Sequence, residues 1–239
     1  MPGMRSDVMM RWQRMNLIAK LVLLTFVLLS VGTRVYQFVD PNLPTAASSI
    51  EYFLNVNAFA APEICPFLIV FCSGATRYEA FERVRVSAHH ELGANVVWMV
   101  QCAAAVALFG LLSWCGVEFL LSGRTWDIPM GVSAAVFAQM LMNTFMELIV
   151  IGFVQFLPIN AGVSWGKAMS AMLLFLLVCN WVFHNWAEII PETLFYFLPL
   201  VPPTFDGLAS AKLLPFVGAV VLLFMANRFL YDHHERLTD

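Results

Sequence analysis

Charged residues are scarce in this chain of 239 residues. Asp, Glu, Lys and Arg make up only 12% of it, whereas 60% is hydrophobic and the mean hydropathy is +0.76. A soluble globular domain is about 25% charged and roughly 45–50% apolar, and it needs polar side chains to cover its surface. The deficit excludes an ordinary soluble domain. It predicts an all-α integral membrane protein, because backbone polar groups in lipid must be paired within helices.

Several chemical signatures are also missing, and each absence removes a class of function. The chain has no G-x-x-x-x-G-K-[ST] phosphate loop, so it does not bind ATP in that way. The five cysteines form no C-x-x-C pair, and the pairs His89–His90 and His233–His234 lack the i, i+4 spacing of a zinc-binding helix. No nucleophile elbow or pair of intramembrane aspartates suggests hydrolysis. We therefore expect a non-catalytic protein with no metal and no cofactor. The net charge of −3 gives no reason to expect nucleic acid as a partner.

Long apolar runs fill most of the remaining sequence, and a spanning helix needs roughly 20 such residues. Six runs predict six transmembrane helices in a single domain of residues 1–239, at 17–35, 53–73, 95–121, 128–157, 169–186 and 213–230. The second run is the weakest of these, because Glu63 and two prolines, Pro62 and Pro66, interrupt it.

The lysines and arginines predict the orientation of these helices. With six spans, ten of the 13 Lys and Arg residues fall on the side of the N-terminus, and the exceptions are Arg34, Arg124 and Lys212. By the positive-inside rule that side is the cytoplasm, so both termini are expected to be cytoplasmic. Removing the second helix would bring the bias close to a tie, which favours keeping that helix.

The first sixteen residues predict an amphipathic helix that lies along the membrane interface. Val8, Trp12 and Met15 recur at helical spacing on one side. Asp7, Arg11 and Arg14 share the other side at the same spacing, and a helix with a basic face and an apolar face is typical of the interface.

A mixed-charge segment precedes the third predicted helix. Residues 76–94 form the first predicted cytoplasmic loop and contain RYEAFERVRVSAHHE. Orientation explains Arg83 and Arg85, but acidic residues contribute little to topology, so Glu79, Glu82 and Glu91 need another reason. Two interpretations of this segment stay open. It is either a short helix with a solvated face or a docking surface for a cytoplasmic partner.

Polar side chains also occur inside two consecutive predicted spans. Gln139, Asn143 and Glu147 fall at i, i+4 and i+8 of the fourth span, and Asn180 and His184 at i, i+4 of the fifth, so each set shares one helical face. Such stripes form hydrogen bonds between packed helices or line a substrate path. A proton relay from Glu147 to His184 is a third interpretation, since an ionisable group at this depth should face the protein interior.

The apolar segment of residues 187–212 is broken by prolines and cannot be a straight spanning helix. Its hydrophobicity also argues against a solvated loop. We expect a re-entrant segment in the outer leaflet, between the fifth and sixth helices, in which the prolines are Pro191, Pro199, Pro202 and Pro203.

The order of these elements, together with the stretch YEAFERVRVSAHHELGANVVWMVQ, resembles the permease of a type II ABC exporter. In size the chain is similar to permeases of bacterial peptide and lantibiotic-immunity exporters. In that family an arginine-containing helix precedes a tryptophan-bearing start of the third span, and Arg83, Arg85 and Trp98 hold those places here. Two histidines stand where the family would have more basic residues.

The resemblance implies a function and a set of partners. The chain would be a permease subunit in the bacterial inner (plasma) membrane, bound to a separate ATP-binding ABC subunit and to a second permease subunit. Glu79, Glu82, Arg83 and Arg85 would form the ATPase-coupling helix, and the prolines of residues 187–212 would close the outer gate. The polar stripes would lie along the translocation path or pack helices together.

Two alternatives to an exporter permease remain. One is a stand-alone secondary transporter that uses Glu147 and His184. The other is an architectural subunit of a larger membrane complex, in which the polar stripes serve only to hold helices together.

Overall fold

The structure is a computed structural model that describes residues 11–13, 15–39, 63–75, 88–121, 130–186 and 213–238. Over these ranges the chain is almost wholly helical and contains no strand, which confirms the all-α class. The helices are α1 (Leu17–Val39), α2 (Cys65–Gly74), α3 (Ala88–Leu121), α4 (Met130–Asn160), α5 (Trp165–Trp186) and α6 (Leu214–Thr238).

Three of the described helices are long and apolar enough to cross a membrane. They contribute the segments Glu91–Ser113 of α3, Leu141–Asn160 of α4 and Leu214–His233 of α6. The apolar part of α1, Leu17–Leu29, and the ten-residue α2 are shorter. This composition is compatible with a membrane protein, while six spans with cytoplasmic termini stay a prediction.

Local chemistry explains where the helices begin and end. Asn16 caps α1, because its Oδ1 accepts a hydrogen bond of 2.7 Å from the backbone N–H of Ala19. The described part of α3 starts at Ala88, so residues 88–94 of the predicted loop already belong to this helix. No proline or glycine pair interrupts this stretch, and Glu91 lies in the first turn, where a negative charge favours the helix dipole.

A tight turn joins α4 to α5. Gly162 has a φ of 95°, a conformation that side chains other than glycine rarely adopt. Its N–H donates to the carbonyl of Ile159 at 3.0 Å, and the N–H of Val163 donates to the carbonyl of Pro158 at 2.9 Å. These two bonds form a Schellman motif, which ends α4 and reverses the chain.

The helix α4 is central among the described elements, with α6 and α3 as its main neighbours. Gly152 allows this close packing, because a Cβ there would lie 2.7 Å from Cγ of Met99 and 3.2 Å from Cζ of Phe67. Phe67 and Met99 are fully buried. The result is a core shared by α2, α3 and α4.

Large apolar side chains remain exposed on the outer helices. In α6 they include Leu214, Leu222 and Phe229, and in α1 they include Leu17 and Ile18, each about 70% exposed or more. Such surfaces are unfavourable in water but ordinary where lipid tails are the solvent.

Candidate functional site

The structure describes two of the predicted stripe residues in full. Asn143 and Glu147 are buried on α4, 5% and 3% exposed, one helical turn apart on the face that the spacing predicted. Gln139 also lies on α4, and Asn180 and His184 lie on α5, but their side chains are outside the part of the chain that the structure describes. The predicted coupling residues (Glu79, Glu82, Arg83, Arg85) and outer-gate prolines (Pro191, Pro199, Pro202, Pro203) lie outside the described residues.

A buried arginine connects the N-terminal segment to the helix bundle. Arg11 is 3% exposed, and its Nη1 donates to Oδ1 of Asn95 at 3.1 Å and to the carbonyl of Gly74 at 3.4 Å. Its guanidinium carbon lies 5.7 Å from the centroid of the Trp98 ring, within the range of a cation–π contact. The segment is therefore held to α2 and α3 at once.

This burial differs from the expectation for an interface helix. The sequence placed Arg11 on the polar face, yet Arg11 is buried. Trp12 of the predicted apolar face is 45% exposed, as a side chain facing lipid would be, and residues 1–10 of the predicted interface helix lie outside the described residues. The reason for the burial of Arg11 is tertiary, since a guanidinium is weakly hydrated and planar and is well suited to buried hydrogen bonding and to stacking. A buried charge is tolerated where polar partners surround it.

Two of the contacts of Arg11, with Asn95 and Trp98, come from one face at the start of α3. Glu91, Asn95 and Trp98 follow at i, i+4 and i+7, so they lie one above the other along the helix. All three are buried. A helix that is otherwise apolar therefore presents a polar and aromatic strip toward the N-terminal segment.

Trp98 fastens α3 to the end of α2. Its Nε1 donates to the carbonyl of Phe71 at 3.3 Å, which also accepts a hydrogen bond of 3.0 Å from the backbone N–H of Ala75 at the end of α2. Gly74 makes this approach possible, because a Cβ there would lie 2.6 Å from Cζ2 of the indole.

Aromatic rings extend the contact to α4 and α5. Phe71 packs edge-on against Phe156 and Trp165, with ring centroids 5.0 and 5.7 Å apart. Beside them Nε2 of Gln155 donates to Sγ of Cys72 at 3.6 Å. Edge-to-face pairs at these distances stabilise beyond the area they bury, so the end of α4 is tied to the end of α2.

Two asparagines then attach α6. Asn160 donates to Oδ1 of Asn227 at 2.8 Å. Asn227 is almost fully buried, and its Nδ2 donates to the carbonyls of Phe153 at 2.9 Å and Leu223 at 2.8 Å.

Together these contacts form what we call the helix-end junction. It joins the start of α3 and of α5 to the ends of α2 and α4 and to the middle of α6. Its members are Arg11, Phe71, Cys72, Gly74, Asn95, Trp98, Gln155, Phe156, Asn160, Trp165 and Asn227. Sequence reasoning placed Trp98 at the start of a span but missed the junction, although isolated Asn and Gln in apolar helices are a signal for helix-to-helix hydrogen bonds.

A second acidic residue lies deep in the bundle. Glu63, two residues before α2, is 1% exposed, and its Oε1 lies 3.1 Å from the position that a Cβ on Gly110 of α3 would occupy. Phe67 lies beside Gly152 and Cys72 beside Gln155, so α2 and α4 run in the same direction. At about 1.5 Å of rise per residue, Glu63 and Glu147 lie at a similar depth.

The described residues contain no group of three or more His, Cys, Asp or Glu side chains that could hold a metal ion. Comparisons of the chain with protein-family models, with curated proteins and with solved structures give no match.

Proposed function

We propose that this chain is a membrane-spanning permease subunit of an ATP-driven exporter. In this proposal it has six spans with both termini in the cytoplasm of a bacterial cell, and it pairs with a second permease subunit. ATP is hydrolysed by a separate subunit, since the sequence has no phosphate loop. The observation that carries the proposal is the helix-end junction.

The junction supports coupling because it fixes both helix ends that flank the mixed-charge segment. Residues 76–87 connect the end of α2 to the start of α3, and Arg11 and Trp98 bind these two ends to each other. Through Phe71, Phe156 and Asn227 the same contacts continue to α4 and α6. A displacement applied to residues 76–87 would therefore move packed helices together, as a contiguous network of side chains allows.

The charges of the segment support a protein partner. Two acidic residues, Glu79 and Glu82, precede two arginines, Arg83 and Arg85, within seven positions, so the segment carries both signs of charge, as a complementary protein surface would require. Charge complementarity fixes register and partner choice more than it adds affinity. Arginines alone would suffice to orient the helix, so a docking surface accounts for the acidic residues as well.

The test is isolation of the tagged chain from its native membrane in mild detergent, with the proteins that accompany it identified by mass spectrometry. We expect a stoichiometric P-loop ATPase. The double substitution Arg83→Glu and Arg85→Glu should abolish its recovery, whereas Arg228→Glu, at an exposed position on α6, should not. Protease mapping of loop orientation controls for a change in topology. Full recovery of the ATPase with the double variant would refute the docking role, and a large set of unrelated membrane proteins would favour an architectural subunit.

One observation favours the stand-alone secondary transporter as a second candidate. Glu63 and Glu147 are both buried at a similar depth, and intramembrane ionisable residues often mark ion pathways. That function predicts transport driven by a proton gradient in the absence of any ATPase, and its loss in Glu147→Gln. Transport that survives in Glu147→Gln would remove this candidate.

A further inference from the structure

We propose that Arg11 is a positioning residue whose guanidinium clamps the end of α2 to the start of α3 and so sets the geometry of the two helix ends flanking residues 76–87. The importance of this clamp for coupling rests on the proposed function. The clamp itself is a property of the isolated chain and can be measured without a partner.

The contacts of Arg11 bridge two elements that are close in space but separated along the chain. Gly74 is the last residue of α2 and Asn95 lies two turns into α3, and one guanidinium nitrogen donates to both. The ring of Trp98, below the guanidinium, is itself bonded to Phe71 of α2. Replacing Arg11 therefore removes three contacts from the helix-end junction, with Gly74, Asn95 and Trp98.

The neighbours of Arg11 provide a matched control. Gln13 lies on the same helical turn but is exposed, so replacing it tests the general effect of a substitution in this segment. Lysine at position 11 would keep the positive charge, but its compact ammonium lacks the planar face that stacks on an indole. Arg11→Lys should therefore recover part of the clamp and Arg11→Ala none.

Hydrogen–deuterium exchange of the isolated chain in lipid nanodiscs measures the clamp directly. In Arg11→Ala we expect exchange of the amides in residues 69–75 and 91–98 to become about tenfold faster or more, since hydrogen bonds to a buried charged group are among the stronger ones. Arg11→Lys should fall between this variant and wild type, and Gln13→Ala should match wild type. The contact of α4 with α6 at Asn227 should keep its protection in all variants.

A double-mutant cycle tests whether Arg11 acts through Asn95. If it does, Arg11→Ala combined with Asn95→Ala should exchange no faster than Arg11→Ala alone. Additive increases in exchange rate would refute the clamp. Equal exchange rates in Arg11→Ala and Gln13→Ala would also refute it. So would an increase in exchange that is spread evenly over α4 and α6. If Arg11→Ala does not fold, Arg11→Lys and Asn95→Ala provide the same comparison.

The clamp and the proposed function fail in different ways. If wild-type chain brings down no ATPase but Arg11→Ala loosens the two helix ends, the exporter proposal fails and the clamp stands. If the ATPase co-purifies with Arg11→Ala and exchange is unchanged, the exporter proposal stands and the clamp is wrong.

Discussion

The closest approach at the helix-end junction makes Gly74→Ala a sharp test of its packing. A Cβ at this position would lie 2.6 Å from Cζ2, 2.8 Å from Cε2 and 2.9 Å from Nε1 of the Trp98 ring. The indole is rigid and buried, and its N–H is bonded to the carbonyl of Phe71 while Arg11 lies over its ring. The methyl group can therefore be accommodated only if the ring moves and these contacts weaken.

The size of the effect follows from three contributions. Overpacking costs about 1–3 kcal/mol, the indole hydrogen bond about 1 kcal/mol, and the contact with Arg11 about 0.5–1 kcal/mol. Alanine regains up to about 1 kcal/mol through its helix propensity. The free energy of unfolding therefore falls by about 2–4 kcal/mol, which for a chain of this size lowers Tm by roughly 5–15 °C.

Thermal unfolding of the detergent-solubilised chain measures this loss, with Gly93→Ala as the matched control. Gly93 lies near the start of α3, and a Cβ there would meet nothing within 4 Å. Gly93→Ala should keep the wild-type Tm or raise it slightly. Equal Tm values for Gly74→Ala and Gly93→Ala would refute the packing at the junction. In a Trp98→Phe background, where the larger ring is gone, Gly74→Ala should cost clearly less than in wild type.

The remaining predictions concern the contacts of α4, and each uses the same unfolding measurement. Asn227→Ala removes hydrogen bonds to Asn160 and to two backbone carbonyls, so it should destabilise by about 2–3 kcal/mol. Arg228→Ala loses only an exposed ion pair of 3.9 Å and should cost less than about 0.5 kcal/mol of stability. If Asn227→Ala and Arg228→Ala cost similar amounts, Asn227 does not join α4 to α6. Gly152→Ala should destabilise by about 1–3 kcal/mol relative to Gly218→Ala, because Met99 and Phe67 occupy the space of the new Cβ, whereas nothing lies within 4 Å at Gly218. If Gly152→Ala is as stable as Gly218→Ala, α3 and α4 are farther apart than they are in the structure.

The sequence alone determined the all-helical class of the protein. A chain with few charges and long apolar runs requires helices, because a helix pairs its backbone N–H and C=O groups internally. The observed helices cover the six predicted runs wherever the structure describes them. Helical spacing also placed Asn143 and Glu147 on one face, because residues at i and i+4 lie on the same side regardless of the surroundings.

Only the tertiary structure decided which faces meet. In a soluble helix the contrast between polar and apolar sides identifies the buried face, but a helix that is apolar all round carries no such contrast. The sequence therefore did not show that Arg11 is buried against Asn95 and Trp98, or that Glu63 lies against Gly110. These contacts depend on how closely two helices approach each other. That distance is set by glycines, which have no Cβ, and by hydrogen bonds between segments that are distant in the sequence. Both act only once the bundle has formed.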